Sequence, residues 1–177
     1  RVRQLDTDEP LNVEKVVVAC DLTDDHRKSL SLSQYFARKF DAELHLFHTM
    51  ESPAHEELVE EAVGHYGEVQ EALISRLSSR LENLVPKDKA KEIKLKTVLK
   101  TGIPGESLLS YAREQKADMV VVGIRHHGAL EKILIGSTTE AALRHSPCPV
   151  LVVTQSSPRL RVPGPFPRKA VSAEDGE

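Results

Sequence analysis

"DMVVVGIRHHGALEKILIGSTTEAALRHSPCPVLVVT", residues 118–154, decides how this chain folds. It opens with an unbroken apolar run, Met119 to Val122, closed by Gly123. Such a run marks a strand buried on both faces, as strands of a parallel sheet are. It closes with a second apolar run, Val150 to Val153, behind Pro147-Cys148-Pro149. Parallel neighbours need a crossover, and the residues between supply one, with a helix expected over about 138–145. The segment from Gly123 to Gly136-Ser137 is either a loop that holds phosphates at a helix start or a long turn between strand and helix. His126 and His127 sharpen the choice, because a phosphate loop would carry small residues there.

The same alternation extends upstream. "KVVVAC" (15–20) and "AELHLFHTM" (42–50) read as strands, and "EIKLKTVLKTG" (92–102) places Ile93, Leu95, Thr97 and Leu99 on one side of a third. Leu32, Phe36 and Phe40 fall four apart, on one face of a helix. Residues 54–84 carry a long helical stripe, Leu58, Ala62, Tyr66, Val69, Leu73, Leu77, Leu81 and Leu84, with Gly64 and Gly67 as places for a kink or break. In "IPGESLLSYAREQKAD", Pro104 stands near a helix start, with Leu108, Leu109 and Ala112 on one face. The order βαβαβαβαβ is that of an α/β fold, a five-stranded parallel sheet with helices on both faces. Such sheets bind ligands beyond the carboxyl ends of their strands, where strand order reverses. That brings Cys20-Asp21, Thr49-Met50 and Gly123 toward one place.

Each candidate at that place has two readings. Ser137-Thr138-Thr139-Glu140 fits the spacing of a capping box, so Ser137 opens a helix whose free amides favour an anion, or it merely caps. Gly136 lets backbone approach a ligand, or it makes the turn. Gly123 admits a phosphate or ribose to the strand end, or allows a sharp exit from the sheet. Asp21 accepts from sugar hydroxyls, or caps a helix starting at Thr23 or Asp24.

Composition bounds the rest. The 177 residues suit one domain with tails: a flexible arm over 1–12, a domain over 13–154 and a disordered, Pro-rich tail over 155–177. Apolar residues are 40% and aromatics 4%, so the core is aliphatic. The net charge of −3, with both signs mixed, argues against a nucleic-acid or membrane-surface partner. Cys20 and Cys148 form no spaced framework, and no apolar leader core or membrane-length run stands out, so the expected setting is cytoplasmic.

On "KVVVACDLTDDHRKSL", "TGIPGESLLSYAREQKADMVVVG" and the opening stretch through "SPCPVLVV", the chain resembles the universal stress protein family. The resemblance covers most of residues 13–154 and implies a Rossmann-like, adenine nucleotide alpha hydrolase-like sheet of order 3-2-1-4-5, usually dimeric, with members that bind ATP. The ATP-binding pattern is similar to Gly, two residues, Gly, nine residues, Gly, then Ser or Thr. Gly123, Gly136 and Ser137 match it; the second glycine is replaced by His126, and Gly128 stands two residues later. The resemblance carries Asp21 over as the ribose- or adenine-side acid and Thr49 as a backbone contact to adenine. It carries Gly123, Gly136, Ser137 and Thr138 over as the phosphate loop and turn. Arg125 and His126 bring donors and positive charge to the same loop.

The remaining features point away from other chemistries. His126, His127 and His145 lack a supporting Cys or carboxylate at metal-ligand spacing, so no metal is expected. His45 and His48 point to opposite faces of a strand and read as structural. Cys20 reads as an inert buried thiol. The two prolines around Cys148 make the last strand an edge, and Val150, Leu151, Val152 and Val153 would pair with a second copy. The expectation is a regulatory stress-response domain that binds ATP or AMP, with Mg²⁺ if at all, and hydrolyses it slowly if at all. The alternative is a dimeric interaction module of the same fold that binds no nucleotide, favoured by His126. A small-molecule transferase lacks an identifiable catalytic set.

Overall fold

The computed structural model describes residues 12–22, 27–51, 65–126 and 133–154. The arm, the tail, the stripe residues Leu58 and Ala62 with Gly64, the cap positions Thr23 and Asp24, and His127 and Gly128 lie outside them. The elements are β1 (Lys15–Ala19), α1 (Arg27–Phe40), β2 (Glu43–Met50), α2 (Tyr66–Glu82), α3 (Lys87–Ala90), β3 (Lys94–Thr101), α4 (Pro104–Glu114), β4 (Met119–His126), β5 (Ile133–Leu134), α5 (Ser137–His145) and β6 (Val150–Thr154).

Five strands pair in parallel, in the order β3-β2-β1-β4-β6. Numbered without the short β5, this is the expected 3-2-1-4-5. The central strands are Val-rich because both faces are covered. Alternation sorts the side chains: Val16, Val18 and Val121 pack with Leu30, Ala37 and Leu81 beneath α1 and α2. Val17, Val120 and Val122 pack with Leu108, Ala112 and Ala142 beneath α4 and α5. Each such side chain contributes roughly 1.5–3 kcal/mol by leaving water.

Three expectations are corrected. First, β4 does not stop at Gly123. It runs to His126, because β6 pairs with it as far as Ile124↔Thr154 and β5 pairs antiparallel with Arg125 and His126. Second, Leu32, Phe36 and Phe40 are only half-buried at the margin of the core. The face of α1 pressed on the sheet is Ser29, Leu30, Ser33, Gln34 and Ala37. Small side chains there let the helix sit close, and Ser33 Oγ returns its proton to the Ser29 carbonyl at 2.8 Å. Third, among the described residues of the long stripe, burial is confined to its end. Leu81 is enclosed and Leu77 partly so, whereas Val69 and Leu73 are exposed. The described helix begins at Tyr66, and the end that lies over the core is its carboxyl half.

The helix at Pro104 follows expectation. Proline occupies its first turn, and Leu108, Leu109 and Ala112 are buried. Gly105 lets α4 and α5 touch: a Cβ there would sit 2.8 Å from the Ala141 Cβ.

The amino end of the sheet is tied off by polar side chains. Asp118 Oδ2 accepts from the Glu14 and Lys15 amides at 3.0 and 2.9 Å. Lys15 Nζ donates to the Gln115 carbonyl at 2.8 Å. Fully buried His45 accepts a hydrogen bond from the Tyr111 hydroxyl at Nδ1, 2.9 Å away, and its Nε2 stands 3.1 Å from Glu43 Oε2. Both bonds are satisfied by a neutral ring protonated on Nε2. Burial holds His45 below its ordinary range, and the bond from His45 lowers Glu43.

Candidate functional site

At the carboxyl end the strands stop unevenly, and a gap opens. β1 ends at Ala19 while β4 continues beside it, and the crossovers leave β1 and β4 toward opposite faces. This is the reversal point where α/β sheets form crevices. A cleft of about 510 Å³ lies there, within the range typical of small-molecule sites. Asp21, Thr49, Gly123, Gly136, Ser137 and Thr138 all line it. Of the eight residues singled out in the sequence, these six are brought together. Arg125 and His126 sit on β4 beyond Gly123, paired with Leu134 and Ile133; their side chains lie outside the described residues.

The start of α5 is built differently from the capping box expected. Gly136 is the N-cap, extended at φ −67° and ψ 156°, and no side chain caps the helix. Ser137 is therefore already the first helical residue. The third helical position falls on Thr139, whose hydroxyl donates to the Gly123 carbonyl at 3.2 Å. Glu140 turns away and accepts from Arg144 Nε at 3.0 Å. The correction strengthens the site. First-turn amides have no intrahelical partners, and here no side-chain oxygen takes them. The helix end, with its partial positive charge, opens toward the cleft and favours an anion.

Neither glycine of the cleft is required by the fold. Gly136 has negative φ, and a Cβ there would meet nothing within 4 Å. At Gly123 the nearest atom to such a Cβ would be Ser29 Oγ at 3.7 Å, an ordinary contact. Gly105 shows what a structurally required glycine looks like. Both glycines line the cleft, and neither carries a side chain there.

The opposite wall carries the polar groups of β1 and β2. Cys20 is buried, and that burial, reinforced by the Asp21 charge, pushes its thiol up to about 12. A buried thiol held protonated in this way is a poor nucleophile. Asp21 is followed by Leu22 in the left-handed region at φ 57°. His48, expected as structural, does hold the Cys20 carbonyl through Nδ1 at 2.6 Å, yet it also lines the cleft. Among the described residues Thr49 Oγ1 is buried with no hydrogen-bond partner, a state that costs about 1–3 kcal/mol. Ser29, Phe47, Pro104, Leu108 and Val122 are among the other residues of its walls, and Glu51 brings a second carboxylate. The sequence reading missed these. The Pro104-to-Leu108 spacing signalled a helix start with a buried face, but nothing local showed that this start abuts the cleft. Among the described residues, no group of three His, Cys, Asp or Glu is placed to hold a metal ion.

Comparison with known proteins gives a consistent result. The model of the Universal stress protein family matches residues 12–154. Universal stress protein MJ0531 of Methanocaldococcus jannaschii is 27% identical over 140 residues, covering 79% of this chain and 81% of that one. A universal stress protein solved in complex with cAMP superposes with a TM-score of 0.53 at 23% identity, over 81% of this chain and 98% of its own. One from Archaeoglobus fulgidus, solved in complex with dAMP, gives 0.52 at 19% identity, over 81% and 99%. At these identities the superpositions speak for the fold.

Proposed function

The chain belongs to the universal stress protein family, and from that premise we propose that it binds an adenine nucleotide, ATP or AMP, in the cleft at the carboxyl ends of β1, β2 and β4. The observation that carries this reading is the pair of glycines, Gly123 and Gly136, kept where a Cβ would fit the fold but fill the cleft. The uncapped start of α5 suits the phosphates. Asp21 suits a ribose hydroxyl, and the end of β2 at Thr49 suits the base. That related proteins were solved with cAMP and dAMP supports an adenine nucleotide over other anions. Mg²⁺ would arrive with the nucleotide, held by phosphate oxygens and water. Occupancy would serve regulation, with at most slow hydrolysis, in a cytoplasmic homodimer joined through β6. Among the described residues that strand pairs only with β4, leaving an edge to cover. No described helix is long and apolar enough to cross a membrane.

Isothermal titration with ATP and Mg²⁺, with native mass spectrometry of the protein as purified, tests the reading. Saturable binding below about millimolar and a mass for two chains are expected. Absence of heat up to that concentration would remove nucleotide binding.

One observation favours the second reading, an interaction module without nucleotide. β4 continues in a ladder through His126, where ATP-binding relatives are similar in having a second glycine. A large gain of ATP affinity in His126→Gly would assign the protein to this class.

A further inference from the structure

The turn that delivers Asp21 to the cleft is strained, and one residue from a distant helix holds it. Leu22 adopts φ 57°, a conformation that costs a non-glycine residue about 1–2 kcal/mol. It persists only if the surroundings over-determine it. Two contacts do so. The Leu22 side chain, 6% exposed, is sunk in the core beneath α1 and α2. On the other side, Arg80 Nη2 of α2 donates to the Leu22 carbonyl at 2.7 Å. Arg80 lies in the last turn of α2, where a cation usually serves the carbonyls of its own helix. Instead it reaches 58 residues back along the chain. The peptide on the other side of Leu22 belongs to Asp21, which lines the cleft and whose charge is felt by the neighbouring Cys20 thiol.

We propose that Arg80 is a positioning residue for the ligand site: by holding the Leu22 carbonyl it maintains the left-handed turn that presents Asp21 to a sugar hydroxyl. The bond and the strain lie outside the cleft, so Arg80 touches no ligand and acts through Asp21. This rests on the nucleotide reading for its ligand but not for its geometry. A relaxed Leu22 with negative φ rotates the peptide it shares with Asp21 and withdraws the carboxylate from the cleft lip.

The test pairs a ligand difference with a ligand-free structure. Wild type, Arg80→Met, Arg80→Lys, Asp21→Asn and the double variant Asp21→Asn/Arg80→Met are titrated with ATP and with its 2′,3′-dideoxy analogue. Arg80→Met is expected to weaken ATP about tenfold while leaving the dideoxy analogue unchanged. Arg80→Lys restores part of the loss, and the double variant binds ATP no more weakly than Asp21→Asn alone. Equal losses for both ligands, or wild-type affinity in Arg80→Met, would overturn the proposal. A nucleotide-free crystal structure of Arg80→Met decides the geometry: Leu22 leaving the left-handed region supports it, and Leu22 and Asp21 unmoved refute it. If wild type binds no ATP, the nucleotide reading falls, and this structural arm still decides whether Arg80 holds the turn.

Discussion

The two ends of the sheet are built to opposite plans. At the amino end polar side chains are bonded to one another and to backbone: Asp118 to two amides, Lys15 to Gln115, Tyr111 to His45 to Glu43. At the carboxyl end, among the described residues, a helix start has no side-chain cap and a threonine hydroxyl is buried without a partner. The first plan maximises stability. The second leaves interactions unmade that a ligand can complete. Five strands through one core tie the two ends together, so the amino end can stabilise a carboxyl end that does little for itself.

This contrast predicts that substitutions at the two ends separate binding from stability. The largest effect is expected from Gly136→Asp. An aspartate at the N-cap completes the missing cap and complements the helix dipole, yet its charge sits where phosphate belongs. Titration should show ATP affinity falling about a hundredfold, while thermal unfolding shows stability unchanged or raised by about 1 kcal/mol. Loss of stability together with loss of affinity would mean that the glycine serves the fold.

Asp118→Ala is the mirror image. It strips the acceptor from the Glu14 and Lys15 amides. Urea unfolding should register a loss of about 2 kcal/mol, with ATP affinity preserved. An equal fall in affinity would show that the two ends are coupled and blur the contrast.

The smallest effect is in pH dependence. Burial lowers the folded-state pKa of His45 below its unfolded value of 6.5. Below that pH the unfolded chain takes up a proton that the folded chain refuses, so stability falls as pH falls, until the lowered pKa is passed. Glu43 is lowered from 4.5, so it adds stability above that pH and loses it only in more acid solution. Among the described residues whose shift is resolved, His45 is the one that gives a slope between about pH 7 and about pH 5. His45→Gln should flatten it in urea titrations across that window. A slope that survives the substitution would place the proton uptake elsewhere.

Much of this was legible in the chain. Val-rich runs at 16–18 and 119–122 announced buried parallel strands, because nothing else in a 40% apolar, aromatic-poor chain makes such runs. Periodicity located the strand ends and the helix start, and the resemblance to the family nominated six candidate residues there. Errors came where a local rule met a long-range partner. Ser137 to Glu140 satisfied the capping-box spacing, but Gly136 took the cap and Thr139 turned to the Gly123 carbonyl, 16 residues away. Leu32, Phe36 and Phe40 made a convincing stripe, yet the sheet took the adjoining face with Ser29 and Ser33. His48 gave no sign that its ring would bridge to Cys20, 28 residues earlier.

Residue order and hydrophobic period alone were enough to specify an α/β sheet and to put Cys20-Asp21, Thr49-Met50 and Gly123 at its carboxyl end and Gly136-Ser137 at a helix start, since both depend on neighbours a few positions apart. The open cleft, the uncapped amides and the Arg80 bond that steadies Leu22 are properties of segments brought together across the sheet. They depend on distances in space between residues far apart in the chain, and those exist only once the strands have paired.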